Sequence, residues 1–129
     1  TEWLSRQGLD ITSERTWITA IAQRADVART IMTDYDDGLL DALDEALARE
    51  VEGPRLIVLH LYGSHPPASL QYPDSLRYFL TPDSRSPLTD AYDDSIRFTD
   101  QVIEGVFQRL EGRPAGVLYL SDHGLEHDR

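Results

Sequence analysis

The sequence contains no cysteine and no lysine, and it has no apolar run long enough to cross a membrane. Without cysteine, neither a disulfide nor a thiolate metal site can form within these 129 residues. All 12 basic side chains are therefore arginine, and 23 acidic side chains bring the formal net charge to -11. An acidic surface repels the phosphates of nucleic acids and of anionic lipids, so we expect no nucleic-acid partner and no direct docking on such lipids.

The remaining composition is that of an ordinary globular protein, with 40% hydrophobic and 27% charged residues. A chain of this length can bury a core without help from disulfides or metal. Its longest apolar stretch, residues 56–59, has the length of a strand. We therefore expect a soluble single domain, or a piece of a larger one, with no membrane span in residues 1–129.

Hydrophobic periodicity predicts alternating strands and helices along the chain. Strands are predicted at residues 1–5, 55–62 and 115–121, and helices at residues 13–24, 36–50 and 87–110. Residues 25–32 fit either a continued helix or a short edge strand. Residues 68–85 show little periodicity and are predicted to cross the surface. This order is typical of a three-layer α/β/α fold with a mainly parallel sheet.

Details of the helices follow from their end residues and apolar faces. The predicted N-caps are Ser13 for the first helix, Asp34 or Asp36 for the second, and Ser86 for the third. The second helix is predicted to bury Leu39, Leu40, Leu43 and Leu47. On the third, one stripe carries Tyr92, Ile96, Thr99, Ile103, Val106, Phe107 and Leu110.

Two groups of polar residues follow predicted strands directly. The first runs from His60 to His65, and the second consists of Ser121, Asp122, His123 and Gly124. Because sites in parallel α/β sheets form beyond the carboxyl ends of the strands, both groups open onto one crevice if the strands are close. Imidazole and carboxylate together suit zinc, and the glycine permits the sharp turn that an adjacent Asp-His pair needs.

Simpler roles are open for the same residues. A histidine at the end of a buried strand, such as His60, more often meets a carbonyl than a metal. Asp122 is also suited to cap a following helix. Glu126, His127 and Asp128 resemble a further ligand cluster, but we favour a solvated tail.

Four blocks of the sequence resemble the bacterial phosphoethanolamine transferases of the sulfatase and alkaline phosphatase superfamily. Residues 60–66 resemble their HxxGSHGP stretch, Tyr72 and Pro73 their RYP segment, residues 92–100 their YDNSILYTD helix, and residues 118–124 their YxSDHGE loop. Residues 3–7 resemble a WxSNQ element more weakly. The blocks occur in the family's order, and the resemblance is best from residue 56 to 124.

The resemblance implies an incomplete alkaline-phosphatase-like fold, in which residues 1–129 are a central piece of a larger periplasmic sulfatase-like catalytic domain. It implies that Asp122 and His123 bind zinc, and that His65 is a catalytic group beside the phosphoryl group or a second zinc. We expect His60, with His65, on the substrate side. One or two zinc ions are expected in the complete protein, whereas this piece alone is expected to bind zinc weakly or not at all.

The implied reaction moves phosphoethanolamine from phosphatidylethanolamine to a lipid A, core-sugar or glycan acceptor through a threonine nucleophile. By the resemblance, that threonine and an acidic zinc ligand precede residue 1, and a further histidine ligand follows residue 129. The isolated chain is therefore predicted to be inactive. The family is usually anchored in the inner membrane with its catalytic domain in the periplasm.

Some positions depart from the family pattern, and two other functions stay open. Arg6 replaces the common asparagine, and Leu125 stands where glutamate is usual. Residues 65–67 are His-Pro-Pro, whereas the family usually has His-Gly-Pro. An alternative parent is a sulfatase, phosphodiesterase or phosphoglycerol transferase of the same superfamily. A different class of function is a non-catalytic module that binds a partner through its acidic face.

Overall fold

The computed structural model describes residues 1–9, 17–121, 123 and 124. Its helices and strands follow one another as β1 (Glu2–Ser5), α1 (Trp17–Ala22), β2 (Val27–Thr30), α2 (Gly38–Ala48), β3 (Ile57–His60) and α3 (Pro87–Leu110). The strands pair in the order β2-β1-β3, and both pairings are parallel. The parallel α/β fold class is thus confirmed. The predicted N-cap Ser13 lies outside the described residues.

Residues 25–32, which the sequence left open between helix and strand, contain the edge strand β2. Parallel strands of one sheet cannot be joined by a tight hairpin, so the chain crosses between them through a helix. The crossover from β2 to β3, which lie on either side of β1, contains α2.

The core between the sheet and α2 is built around Leu4. Its side chain is fully buried and packs against Leu39, Ala42 and Ala46 of α2. Ile57 and Leu59 of β3 pack against the same cluster. The predicted leucine face of α2 is confirmed, since Leu39 and Leu43 are buried and Leu40 and Leu47 are partly buried. Burial of this face fixes α2 against one side of the sheet.

The predicted surface excursion is tied to α3 by one carboxylate. Residues 68–85 contain two short 3-10 turns, Ala68–Leu70 and Asp74–Leu76. Beyond them, both carboxylate oxygens of the buried Asp94 accept backbone N–H bonds, from Tyr78 at 2.9 Å, Phe79 at 3.0 Å and Leu80 at 3.0 Å.

Burial alone raises the pKa of Asp94, but the three amide donors, together with Arg97, outweigh burial and leave this pKa below its ordinary value. The neighbouring Tyr72 is also buried, and it packs against Phe98 and Val102 of α3. The pKa of the Tyr72 hydroxyl is raised, mainly by burial and to a smaller extent by the charge of Asp94. This part of the excursion is therefore anchored to α3.

The bounds of α3 match the prediction, including Ser86 at the N-cap, and its buried face is largely different from the apolar stripe. Its buried residues are Ala91, Asp94, Ser95, Phe98, Thr99, Val102 and Gly105. Of the apolar stripe that the sequence places on this helix, Thr99 lies on the buried face, whereas Ile96 is 45% exposed and Phe107 56% exposed. At Gly105 the buried face has no room for a side chain, because an added Cβ would lie 2.7 Å from the Leu40 side chain.

The predicted strand at residues 115–121 was wrong. This segment forms no strand, and Leu118 is 84% exposed. Within the described ranges, β3 pairs with β1 alone. A cleft of about 2540 Å³ is lined both by β3 and by residues 113–121. The segment lies across this cleft from β3 and pairs with no described strand, and a strand forms only against a hydrogen-bonding neighbour.

None of the helices in the described part of the chain is long and apolar enough to cross a membrane. The longest, α3, carries acidic and basic residues along its whole length.

Candidate active site

The loop after β3 carries two of the predicted site histidines. The strand ends at His60, and the chain then turns through Tyr62 and Gly63, where the amide of His65 donates to the carbonyl of Tyr62 at 3.2 Å. Gly63 has φ +57°, in the left-handed region that favours glycine. This turn lifts His65 out of the sheet and exposes it.

His60 is anchored by neighbours on β1. Its ring meets Trp3 edge-on at 5.7 Å, and its Nδ1 lies 2.9 Å from the hydroxyl oxygen of Ser5. That hydroxyl donates its own proton to the carbonyl of Gln7 at 2.7 Å. It therefore accepts from His60, which places the imidazole proton on Nδ1. These contacts show how His60 is held; its predicted contact with substrate stays a prediction.

His65 has the same tautomer for a simpler reason. Its Nδ1 lies 2.9 Å from the carbonyl oxygen of Pro66, and a carbonyl can only accept. The neutral ring therefore carries its lone pair on Nε2. The Tyr62 ring packs edge-on against the imidazole, with the ring centres 6.0 Å apart.

The second predicted group follows α3 and is described only in part. Asp122 lies outside the described residues. The hydroxyl of Ser121 donates to the carbonyl of His123 at 2.6 Å, and Nδ1 of His123 lies 2.8 Å from the carbonyl of Gly124. His123 thus has the Nδ1–H tautomer, with its lone pair on Nε2.

Both groups border one cleft. His60, His65 and His123 all contribute to the lining of the space between β3 and residues 113–121. The described ranges contain no cluster of three or more His, Cys, Asp or Glu side chains able to hold a metal ion. The structure therefore brings the predicted histidines to one cleft without assembling a metal site from described residues.

The donor chemistry present fits zinc. Histidines that bind zinc usually donate the other ring N–H to a carbonyl or carboxylate, which fixes the tautomer. His65 and His123 both have that arrangement. They are the described residues suited to hold such an ion or to face its substrate.

A residue that the sequence did not single out as part of the site holds the first loop in place. Asp36 is 1% exposed, and its two carboxylate oxygens accept the amides of Tyr62 at 3.0 Å and Gly63 at 2.8 Å. The prediction of Asp36 or Asp34 as the N-cap of α2 was wrong. That position is taken by Asp37, which makes no side-chain capping bond. No local periodicity signals a contact across 26 residues of chain.

Arg6, at the end of β1, connects this carboxylate to the rest of the site. Its Nη1 lies 3.4 Å from Oδ1 of Asp36 and 3.1 Å from Oε1 of Gln71. Its guanidinium carbon lies 4.7 Å from the centre of the Tyr62 ring. Arg6 and Asp36 together hold the loop between β3 and His65 from two sides.

Comparison with known proteins identifies the family. The profile of the Sulfatase family matches residues 1–129. The chain belongs to the sulfatase family. Among curated members it is 41% identical over 128 residues to the "Putative transferase YhbX" of Escherichia coli K12, covering 99% of this chain and 23% of that protein. It is 34% identical over 135 residues to the phosphoethanolamine transferase OpgE of the same strain, covering 97% and 25%.

A solved structure supports the fold. The C-terminal periplasmic domain of EptC from Escherichia coli, determined in complex with zinc, superimposes with a TM-score of 0.72 at 20% identity, covering 85% of this chain and 35% of that domain. At this identity the likeness shows the fold alone. The chain thus spans about a quarter of the curated relatives and about a third of the solved domain.

Proposed function

We propose that residues 1–129 are the central part of a larger catalytic domain of a zinc-dependent phosphoethanolamine transferase. The complete protein would move phosphoethanolamine from phosphatidylethanolamine to a lipid A, core-sugar or glycan acceptor. Its threonine nucleophile would lie outside this chain. Family membership and the similarity to OpgE support this proposal.

Uncovered apolar surface supports the proposal of a partial domain. The predicted stripe of α3 lines the cleft through Tyr92, Ile96, Ile103, Val106 and Leu110. Across the same cleft, residues 117–120 expose between 43% and 84% of their surface. Apolar patches of this extent usually mark a contact surface. Further sheet and helix from the same domain would cover both.

The observation that carries the proposed chemistry is the matched state of two imidazoles on one cleft. In His65 and in His123, Nδ1 lies within hydrogen-bond distance of a backbone carbonyl, which places the lone pair of the neutral ring on Nε2. We propose that His123 and Asp122 hold the zinc ion and that His65 contacts the phosphoryl group, with His60 behind it on the substrate side. Zinc in such a site lowers the pKa of a bound hydroxyl and stabilises phosphoryl charge.

The test measures zinc and group transfer in the full-length protein. We expect stoichiometric zinc in the wild type, and transfer of phosphoethanolamine to an acceptor followed by mass spectrometry. Asp122→Ala and His123→Ala should each lower zinc affinity by at least about tenfold, since removing a ligand costs more than removing its supporting partner. Asp93→Ala, at an exposed carboxylate on α3, is the matched control.

Retention of zinc and activity by both ligand variants would refute the proposed site. Hydrolysis of sulfate esters without phosphoethanolamine transfer would favour the sulfatase alternative. The isolated chain is expected to be inactive toward a phosphoethanolamine donor and toward aryl phosphates.

We further propose that the complete protein is anchored in the inner membrane, with this part in the periplasm. The C-terminal domain of EptC from Escherichia coli, which shares this fold, is periplasmic and supports that location for a family member. Protease accessibility of the full-length protein in spheroplasts tests it. Protection of this domain from protease in intact spheroplasts would contradict the periplasmic location.

A further inference from the structure

The loop that carries His65 is fixed by a carboxylate from a distant part of the chain. Asp36 lies just before α2, whereas the two amides that it binds lie between β3 and His65. We propose that Asp36 is a positioning residue, which sets the direction in which His65 enters the cleft, and that Arg6 is its charge partner. The catalytic part of this inference rests on the proposed function of His65.

The geometry supports more than a local packing role. Each oxygen of one planar carboxylate accepts a different amide, so the peptide planes on both sides of Tyr62 are fixed relative to α2. Gly63 then turns with positive φ, and only Ser64 lies between it and His65. A displacement of about 1 Å at a reacting group can cost on the order of a hundredfold in rate. A two-point anchor at this place controls such a displacement.

Arg6 makes the anchor stable inside the protein. A buried carboxylate is costly unless it is hydrogen-bonded and paired. Arg6 supplies the pairing charge while its guanidinium packs on the Tyr62 ring, so it restrains the same loop through a second contact. Its side chain is itself only 10% exposed.

The first experiment measures the anchor directly in the 129-residue chain. Asp36→Asn retains the shape but turns an N–H₂ group toward one of the two amide donors. Hydrogen exchange followed by NMR should show loss of protection at Tyr62 and Gly63 of roughly tenfold or more, as expected for a bond to a charged group. The matched control is Asp37→Asn, because Asp37 is an exposed neighbour whose side chain makes no capping bond. Unchanged protection at both amides would overturn the anchor.

The second experiment tests whether the anchor acts through His65. In the full-length protein, Asp36→Asn is expected to lower kcat by roughly ten- to hundredfold with little change in KM, at a temperature where the variant is fully folded. In a His65→Ala background, the same substitution should lower kcat by less than about twofold, because residues that act as a unit are not additive. A purely structural role would give equal losses in both backgrounds.

The outcomes separate this inference from the proposed function. If wild type transfers phosphoethanolamine and His65→Ala impairs it, an additive effect of Asp36→Asn overturns the positioning role. If His65→Ala leaves transfer unchanged, the proposed role of His65 fails, and the positioning role fails with it. If the wild type transfers no phosphoethanolamine, the proposed function fails, and the amide protection still decides whether Asp36 anchors the loop.

Discussion

Removing the carboxylate of Asp94 is the sharpest test of how the excursion is held on α3. Asp94 is 1% exposed and accepts three successive backbone amides at 2.9 to 3.0 Å. Asp94→Ala deletes both oxygens and leaves these three donors without their acceptor. Asp94→Asn retains one oxygen, which can still serve the amides of Tyr78 and Phe79, and replaces the other by a donor facing Leu80.

The magnitude follows from the number of bonds and from the access of water. A hydrogen bond to a charged group contributes about 1.5–3 kcal/mol, but the contributions are not additive. The side chains of Tyr78 and Phe79 are 66% and 43% exposed, so water can reach part of the released loop. We therefore expect Asp94→Ala to lower the free energy of unfolding by about 3 kcal/mol, and Asp94→Asn by about half as much.

The assay is urea unfolding of the 129-residue chain at neutral pH, with Asp93→Ala as control because Asp93 is the exposed neighbour on the same helix. The pH dependence adds an independent check. Because the folded-state pKa of Asp94 is lowered, its contribution is complete above the unfolded pKa and is lost as pH falls through the folded pKa. The difference between wild type and Asp94→Asn should therefore shrink below about pH 4.

Two results would refute this reasoning. One is an Asp94→Ala variant whose unfolding free energy lies within about 0.5 kcal/mol of wild type, the range of an ordinary surface substitution. The other is a difference between wild type and Asp94→Asn that grows as the pH is lowered.

Two further predictions concern the sheet and its site loop. Gly63→Ala should lower the unfolding free energy by about 1 kcal/mol because the backbone φ is +57° there, which an alanine adopts at a cost, although no atom crowds the added Cβ. Equal urea midpoints for the variant and the wild type would count against this prediction. Leu4→Ala should cost about 3 kcal/mol in the same assay, since Leu4 is fully buried against α2. Its control, Leu118→Ala, should change stability by less than about 0.5 kcal/mol because Leu118 is 84% exposed, and a comparable loss there would contradict the assigned core.

Local patterns were sufficient to predict which helices exist. The bounds of α3 follow from Ser86 and Pro87 at its start and from the glycine and proline that follow it. The leucines of α2 share one face, and the burial of Leu39 and Leu43 confirms that face. Short-range spacing carries this information because a helix turn involves residues only three or four positions apart.

The sequence also brought attention to His60, His65 and His123, and the structure places all three on one cleft. Their roles toward zinc and phosphate stay predictions, and Asp122 lies outside the described residues. The strand predicted from the sequence at residues 115–121 was wrong, because an apolar run has the composition of a strand whether or not a neighbouring strand pairs with it.

What the sequence determined by itself was the order of the helices, the parallel fold class and the family, since these depend on local spacing and on short motifs. Tertiary structure alone decided which face of α3 is buried and which carboxylate holds the site loop. Asp36 and Tyr62 are 26 residues apart, and Asp94 reaches back 14 to 16 residues to its loop. Such contacts form only when the sheet and helices pack together, so no periodicity within the chain predicts them.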